Sequence, residues 1–477
     1  MTVARPLLAL SAALVVALAC ASPGAPDFAL IYTPAARHHG PDRNPIIAIP
    51  GILGSKLRDP ATGALAWGAF DGGAADPAKP AGARLIALPI DALHALAELR
   101  DELAPSGVLD KVRIQLAGIP IDIQAYAGIL STLGAGGYRD QALGLAGEVD
   151  YGREHFTCFQ FDYDWRRDNV ENAKRLHAFI EEKRAYLQGE YERRWGIANA
   201  DVKFDIAAHS MGGLLTRYYL MYGGQDLPAD GSLPALTWEG ARRVERVILI
   251  GTPNAGSAEA LLQLVDGRKI GPTLPYYSPA VLGTFPSIYQ LLPRSRHAPA
   301  LWDGDERQPI PDVLDPALWI RNNWGLADPA QAPALAALLP DEPSAEQRRA
   351  TALAFQRRAL ERARAFHAAL DRRDAPPPAG LGLLLVAGDA TATPAQLRVN
   401  RADGRVSVLR SAPGDETVLR SSALLDERAG GPFRPGLDSP LAFEQVLFLP
   451  ETHLGLTRSA VFRDNVLWWL LEQPRRR

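Results

Sequence analysis

Apolar residues recur along this chain in two rhythms. Short continuous apolar runs at Pro45 to Ile49, Phe156 to Phe161, Val202 to Ala208, Val244 to Ile250, Leu381 to Ala387 and Phe443 to Leu449 have the length of strands, and most are apolar enough to be buried on both faces. Between them the period turns helical. Ile121, Tyr126, Ile129, Leu130 and Leu133 recur at helical spacing up to Gly136-Gly137, and Leu214, Leu215, Tyr218 and Tyr219 do so after Ser210. The capping pattern Asp168-x-x-Glu171 opens a long helix that stops near Gly196, and Ser344-x-x-Gln347 opens another that runs to about Asp371. Strands that alternate with helices predict a doubly wound, mostly parallel α/β sheet, with reactive groups at the carboxyl ends of its strands.

Two stretches break the alternation. From Asp59 to Ile119 no clean period is visible, and Gly72 to Ala83 is rich in Gly, Ala and Pro; this reads as an inserted surface region. From Ala255 to Asp374 the strand pattern is interrupted again. Its first half is broken by five prolines between Pro272 and Pro293 and carries Tyr276, Tyr277, Phe285 and Tyr289, as expected of a cap or lid offering apolar surface to a lipid. The competing expectation is an irregular subdomain whose aromatics form its own core. The arginines of its long helix read as a solvated face. The core is therefore expected in two parts, 45–254 (with the insertion at about 59–119) and 375–477, separated by a cap over 255–374. A hairpin turning at Asp403-Gly404 belongs to the second part.

The ends carry processing and tail signals. Arg5, the apolar run Leu7 to Ala19 and the small residues after it read as an export signal over 1–19, and the run is too short to span a bilayer. Ala17-Leu18-Ala19 fits an ordinary cleavage site, whereas Leu18-Ala19-Cys20 fits lipid attachment at Cys20. The expected location is the bacterial cell envelope or the medium, with 20–44 as a Pro/Gly/Ala-rich tether. Arg475-Arg476-Arg477 reads as a solvated tail. The only cysteines are Cys20 and Cys158, so at most one disulfide can form; Cys158 reads as a small core residue. A formal net charge of −3 without a basic, aromatic-interleaved stripe gives no reason to invoke nucleic acid.

The chemistry concentrates at Ala208-His209-Ser210-Met211-Gly212. A serine on a tight strand-to-helix elbow needs tiny neighbours two positions either side, here Ala208 and Gly212, and the helix beginning at Met211 aims free N–H groups at whatever the serine attacks. A serine hydroxyl needs an imidazole to take its proton and a carboxylate to orient that imidazole. In α/β-hydrolase folds the acid and then the histidine follow the serine. Of nine histidines only His297, His367 and His453 do so; the first lies in the cap and the second in the arginine-rich helix, which leaves His453 as the base. His209 is expected to be a packing residue of the elbow. Position alone slightly favours Asp389 as the acid over Asp415, with Glu416 third. The Pro50-Gly51-Ile52 loop supplies half of an oxyanion hole.

The ordered series IPGILGSKL, YDWR at Tyr163 to Arg166, AHSMGG, GTPNAGS, FPSIYQLLP, GDETV and the His453 segment resembles the lecithin:cholesterol acyltransferase family, from about Pro45 to His453. The resemblance implies an α/β-hydrolase fold with inserted cap regions, the acid at Asp415, and oxyanion N–H groups at Ile52 and Met211. The family more often has Gly where Glu416 stands, and the disulfides of its animal members cannot form here. The implied function is serine-dependent acyl transfer from lipid esters, with water or a lipid alcohol as acceptor, at a membrane surface and without metal or organic cofactor. Two alternatives remain: a lipase or carboxylesterase using only water, and a catalytically dead lipid-binding envelope protein. Head group, chain length and oligomeric state are not encoded legibly.

Overall fold

The computed structural model describes residues 26–68, 76–109, 111–116, 119–124, 126–269, 276–304 and 308–475. The export signal and Cys20 lie outside them. Six strands form the central sheet: β1 (Ile46–Ile49), β2 (Cys158–Gln160), β3 (Phe204–His209), β4 (Val244–Ile250), β5 (Gly382–Gly388) and β6 (Phe443–Leu449). Their order is β6-β5-β4-β3-β1-β2 and every neighbouring pair is parallel. The register sets Ile49 beside Ala208, His209 beside Ile250, and Val386 beside both Ile250 and Leu447. β1, β3 and β5 are buried along their whole length, which explains their continuous hydrophobicity. β6 is the edge strand and is only half-buried.

Chain order reverses between β1 and β3. From β1 the chain crosses to β2 on one side and returns to β3 on the other, which opens a crevice beyond the carboxyl ends of these two strands. The helix Met211–Tyr222 that follows β3 is wholly buried and packs against Asn169–Trp195. Asp168 caps the latter by accepting from Val170 N–H, and Gly196 ends it in a left-handed conformation. The helix expected after Ser344 spans Ala345–Leu370.

Several expectations need correction. The 20–44 tether contains a helix, Phe28–Arg37, that packs on Ala460–Leu471 and Ala127–Ala135; buried Tyr32 donates to Asp464 Oδ1 at 2.6 Å. Ile121 is not helical: it belongs to a strand, Ile119–Gln124, and the helix begins only at Ala127 with Tyr126 as its cap. Within 59–119, Leu65–Trp67 and Ala104–Val108 pair antiparallel with Ser55–Arg58. These strands are three to five residues long and their ladders shift register, so no alternation could develop along the sequence.

The arginines of Ala345–Leu370 are also more than a wet face. Arg362 bridges Asp168 and Asp226, while Arg349 and Arg364 donate to the carbonyls of Ala327 and Leu314. Arg475 is not a free tail residue either, since its guanidinium grips fully buried Asp205 with both terminal nitrogens, at 3.0 and 2.7 Å. Cys158 is buried in β2, and its thiol faces Asp140. Among the described residues no helix is long and apolar enough to cross a membrane.

Candidate active site

Ser210 stands directly past β3, at φ 53° and ψ −126°, and the helix starts with the next residue. A non-glycine residue in this left-handed region costs about 1–3 kcal/mol, and packing all around it holds the conformation in place. Its N–H donates to Ile250 C=O of the neighbouring strand at 2.8 Å. The small neighbour is a steric necessity, because a Cβ on Gly212 would lie 2.3 Å from the carbonyl oxygen of Pro50.

Two further strand ends bring the partners to the serine. His453, in the loop after β6, stands with Nε2 2.9 Å from Ser210 Oγ and Nδ1 2.8 Å from Asp415 Oδ2. Its own N–H donates to Asp415 C=O at 2.9 Å, so backbone and side chain fix one orientation. Asp415 follows the hairpin of Thr391–Val399 and Val406–Gly414. Its Oδ1 accepts the N–H groups of Val418 and Thr417, at 2.7 and 3.1 Å, and only Oδ2 faces the imidazole. Burial pushes this carboxyl up, but the facing His453 and those two N–H donors outweigh it and hold it below the usual carboxylate range.

Asp389 does not reach His453. The end of β5 instead serves as the floor for Asp415, whose Cβ would lie 2.5 Å from a Cβ placed on Gly388. Glu416 lines the cavity while Asp415 partners the imidazole, and it takes φ 76°, the left-handed conformation that a glycine adopts freely. His297 and His367 are engaged elsewhere: His297 pairs with Glu427, and His367 Nε2 donates to Gln290 C=O.

The loop after β1 is held by its backbone. Tyr163 Oη donates to Pro50 C=O at 2.9 Å, Gly51 N–H donates to Tyr126 Oη at 2.8 Å, Trp67 Nε1 donates to Leu53 C=O at 2.8 Å, and Leu109 N–H donates to Gly54 C=O at 2.8 Å. Each of these bonds uses a group other than the Ile52 N–H, and Ile52 itself lines the cavity beside Ser210. That cavity is about 380 Å³. Part of its lining is aromatic, with Trp67 edge-on to Trp165 at 5.7 Å between ring centres and Trp165 edge-on to Phe285 at 5.6 Å. The lining also includes polar Ser257, Glu259, Gln263, Arg268 and Glu416. Among the described residues no three His, Cys, Asp or Glu side chains are placed to hold a metal ion.

Residues 146–309 match the family model of lecithin:cholesterol acyltransferase. Over that stretch the chain is lecithin:cholesterol acyltransferase-like. The match assigns lipid esters as the broad class of substrate and hydrolysis or acyl transfer as the broad class of reaction. No curated protein matches the chain. A chain in the crystal structure of the Tle4-Tli4 complex shares the fold, with a TM-score of 0.53 at 16% identity over 90% of this chain and 98% of that one. Bacillus licheniformis lipase BlEst2 in propeptide form aligns at a TM-score of 0.31 and 12% identity, over 92% of this chain and 53% of that one.

The lecithin:cholesterol acyltransferase-like stretch contains Trp165, Ser210, Met211, Tyr277 and Phe285, whereas Ile52, Trp67, Asp415 and His453 lie outside it and reach the site through the fold. Of the four aromatic residues expected to meet lipid, Tyr277 and Phe285 line the cavity. Tyr289 does not: its ring packs on Trp319 and its hydroxyl donates to Gly283 C=O at 3.0 Å. Tyr276 stays half in solvent, donating to Asp266 C=O. Trp67, Tyr126, Tyr163 and Trp165 were not singled out as site residues in the sequence. Their common signal is an apolar ring with a polar tip near a loop whose carbonyls and N–H groups need partners.

Proposed function

We propose that this protein transfers acyl groups from lipid esters through a covalent ester on Ser210. The observation that carries the reading is the hydrogen-bonded line from Asp415 through His453 to Ser210, opening into a cavity lined largely by apolar and aromatic residues. Because the ionised Asp415 carboxylate can only accept, His453 Nδ1 keeps its proton and Nε2 is the bare base. Ser210 Oγ attacks the ester carbonyl carbon while its proton passes to Nε2. The resulting oxyanion lies between the N–H groups of Ile52 and Met211, where loss of one donor costs about 2.7–4 kcal/mol. Nε2–H then protonates the departing lysolipid or alcohol oxygen as its bond to the acyl carbon breaks. Water or a lipid alcohol enters, gives its proton to Nε2, attacks the acyl-serine, and frees Ser210 as the proton returns.

Within this reading the protein is exported and works at a membrane surface, anchored through Cys20 or released; the apolar run Leu7 to Ala19 supports export. The deciding experiment adds protein lacking the export signal to phospholipid vesicles carrying a labelled acyl chain and a long-chain alcohol. Free fatty acid and new ester are counted separately. Both acyl transfer and hydrolysis predict that Ser210→Ala abolishes product, and new ester distinguishes transfer from a water-only lipase. Full activity in Ser210→Ala would sink the reading.

A further inference from the structure

Behind the candidate triad runs a second, largely buried chain of hydrogen bonds that joins the loop after β1 to the backbone of His453. Gly51 N–H donates to Tyr126 Oη at 2.8 Å, Tyr126 Oη lies 3.2 Å from His209 Nδ1, and His209 Nε2 lies 3.1 Å from His453 C=O. Each proton has one consistent place. The His453 carbonyl can only accept, so Nε2 of His209 carries the hydrogen; Nδ1 of the neutral ring is then an acceptor and takes the Tyr126 O–H; the Tyr126 oxygen accepts from Gly51.

We infer that Tyr126 and His209 are positioning residues that lock the oxyanion loop and the base into one mutual register, and that this function requires His209 to stay neutral. The inference rests on the reading of Ser210, His453 and the Ile52 N–H given above. Protonated His209 would turn Nδ1 into a donor facing the Tyr126 hydroxyl, leaving that O–H without an acceptor. It would also set a second cation 4.7 Å, ring centre to ring centre, from an imidazole that must become cationic in the transition state. The titratable groups facing His209 are Tyr126, His453 and, beyond it, Asp415; burial and then the His453 charge push His209 down to about 3. Gly51 fits the same role, since a Cβ there would meet Ser210 Cβ at 2.6 Å. The loop thus sits directly against the nucleophile.

The test compares wild type, Tyr126→Phe and His209→Gln for hydrolysis of a soluble short-chain ester, for labelling by a fluorophosphonate and for thermal unfolding. Tyr126→Phe frees both Gly51 N–H and His209 Nδ1. It should lower kcat about ten- to a hundredfold with KM within twofold. His209→Gln can still donate to His453 C=O but loses the Nδ1 acceptor, so it should fall between wild type and Tyr126→Phe. A lowered melting temperature with kcat and KM unchanged would reduce both residues to packing and overturn the inference. Failure of wild type itself to label would instead strike the reading of Ser210, so the two failures are separable.

Discussion

Asp415→Asn tests the orientation of the imidazole most sharply. The carboxylate has three hydrogen-bond obligations, two backbone N–H groups on Oδ1 and the His453 ring on Oδ2. An asparagine has one oxygen and one NH2 to meet them. With its oxygen at the Oδ1 position it keeps both backbone bonds and presents N–H to His453 Nδ1. The ring must then carry its proton on Nε2, pointing at Ser210 Oγ, and no base remains. The opposite flip preserves the base but aims NH2 at two buried N–H donors, at about 1–3 kcal/mol for each unsatisfied group. The inactive arrangement therefore wins by a few kcal/mol. We expect kcat to fall about 10⁴-fold, or ~5.4 kcal/mol, with the fold retained. Fluorophosphonate labelling rates measured beside Asp389→Asn provide the assay. Asp415→Asn within tenfold of wild type, with Asp389→Asn slow, would refute the assignment and restore Asp389.

Three further outcomes are expected. Arg475→Gln should cost about 3 kcal/mol in urea unfolding, because it leaves the buried Asp205 carboxylate short of its cation; a loss below 1 kcal/mol would contradict the pairing. Ser210→Gly should unfold at a higher temperature than Ser210→Ala, both inactive, since glycine relieves a left-handed strain worth about 1 kcal/mol or more. Buried His209 and His367 are each held down to about 3, so between there and the unfolded value of about 6.5 the unfolded chain binds protons that the folded one does not. Stability should be full above about pH 6.5 and fall as the pH drops, by about 2 kcal/mol per group at pH 5, and His367→Leu should flatten the slope of denaturant midpoint against pH.

The sequence made the sheet and the nucleophile legible because both depend on local pattern. Val244–Ile250 and Phe443–Leu449 match their apolar runs residue for residue, and Ser210 announces itself through Ala208, Gly212 and the period change after it. The order of elements isolated His453. The acid was harder, since Asp389 and Asp415 both lie near the end of β5, one in sequence and the other only in space; the family resemblance, not the period, pointed to Asp415. Trp67 and Tyr126 were illegible for a different reason. Their roles depend on hydrogen bonds to a loop 14 and 75 residues away; Trp67 sits on a strand too short to show a period, and the helical spacing around Tyr126 reports packing, not the partner of its hydroxyl.

The hairpin that bears Asp415 is not an isolated arm. Its strand Thr391–Val399 is also paired, in parallel, with Ala300–Trp302, so the 255–374 segment and the acid share one ladder. Modularity is lost as a result. The segment cannot be exchanged as a cassette for that of another hydrolase without carrying Thr391 to Asp415 along. Nor can it swing away as a hinged flap while the acid stays still, unless those strands part. Single side-chain changes in the cavity wall leave this ladder intact, whereas a transplanted segment has to bring the hairpin and its acid with it.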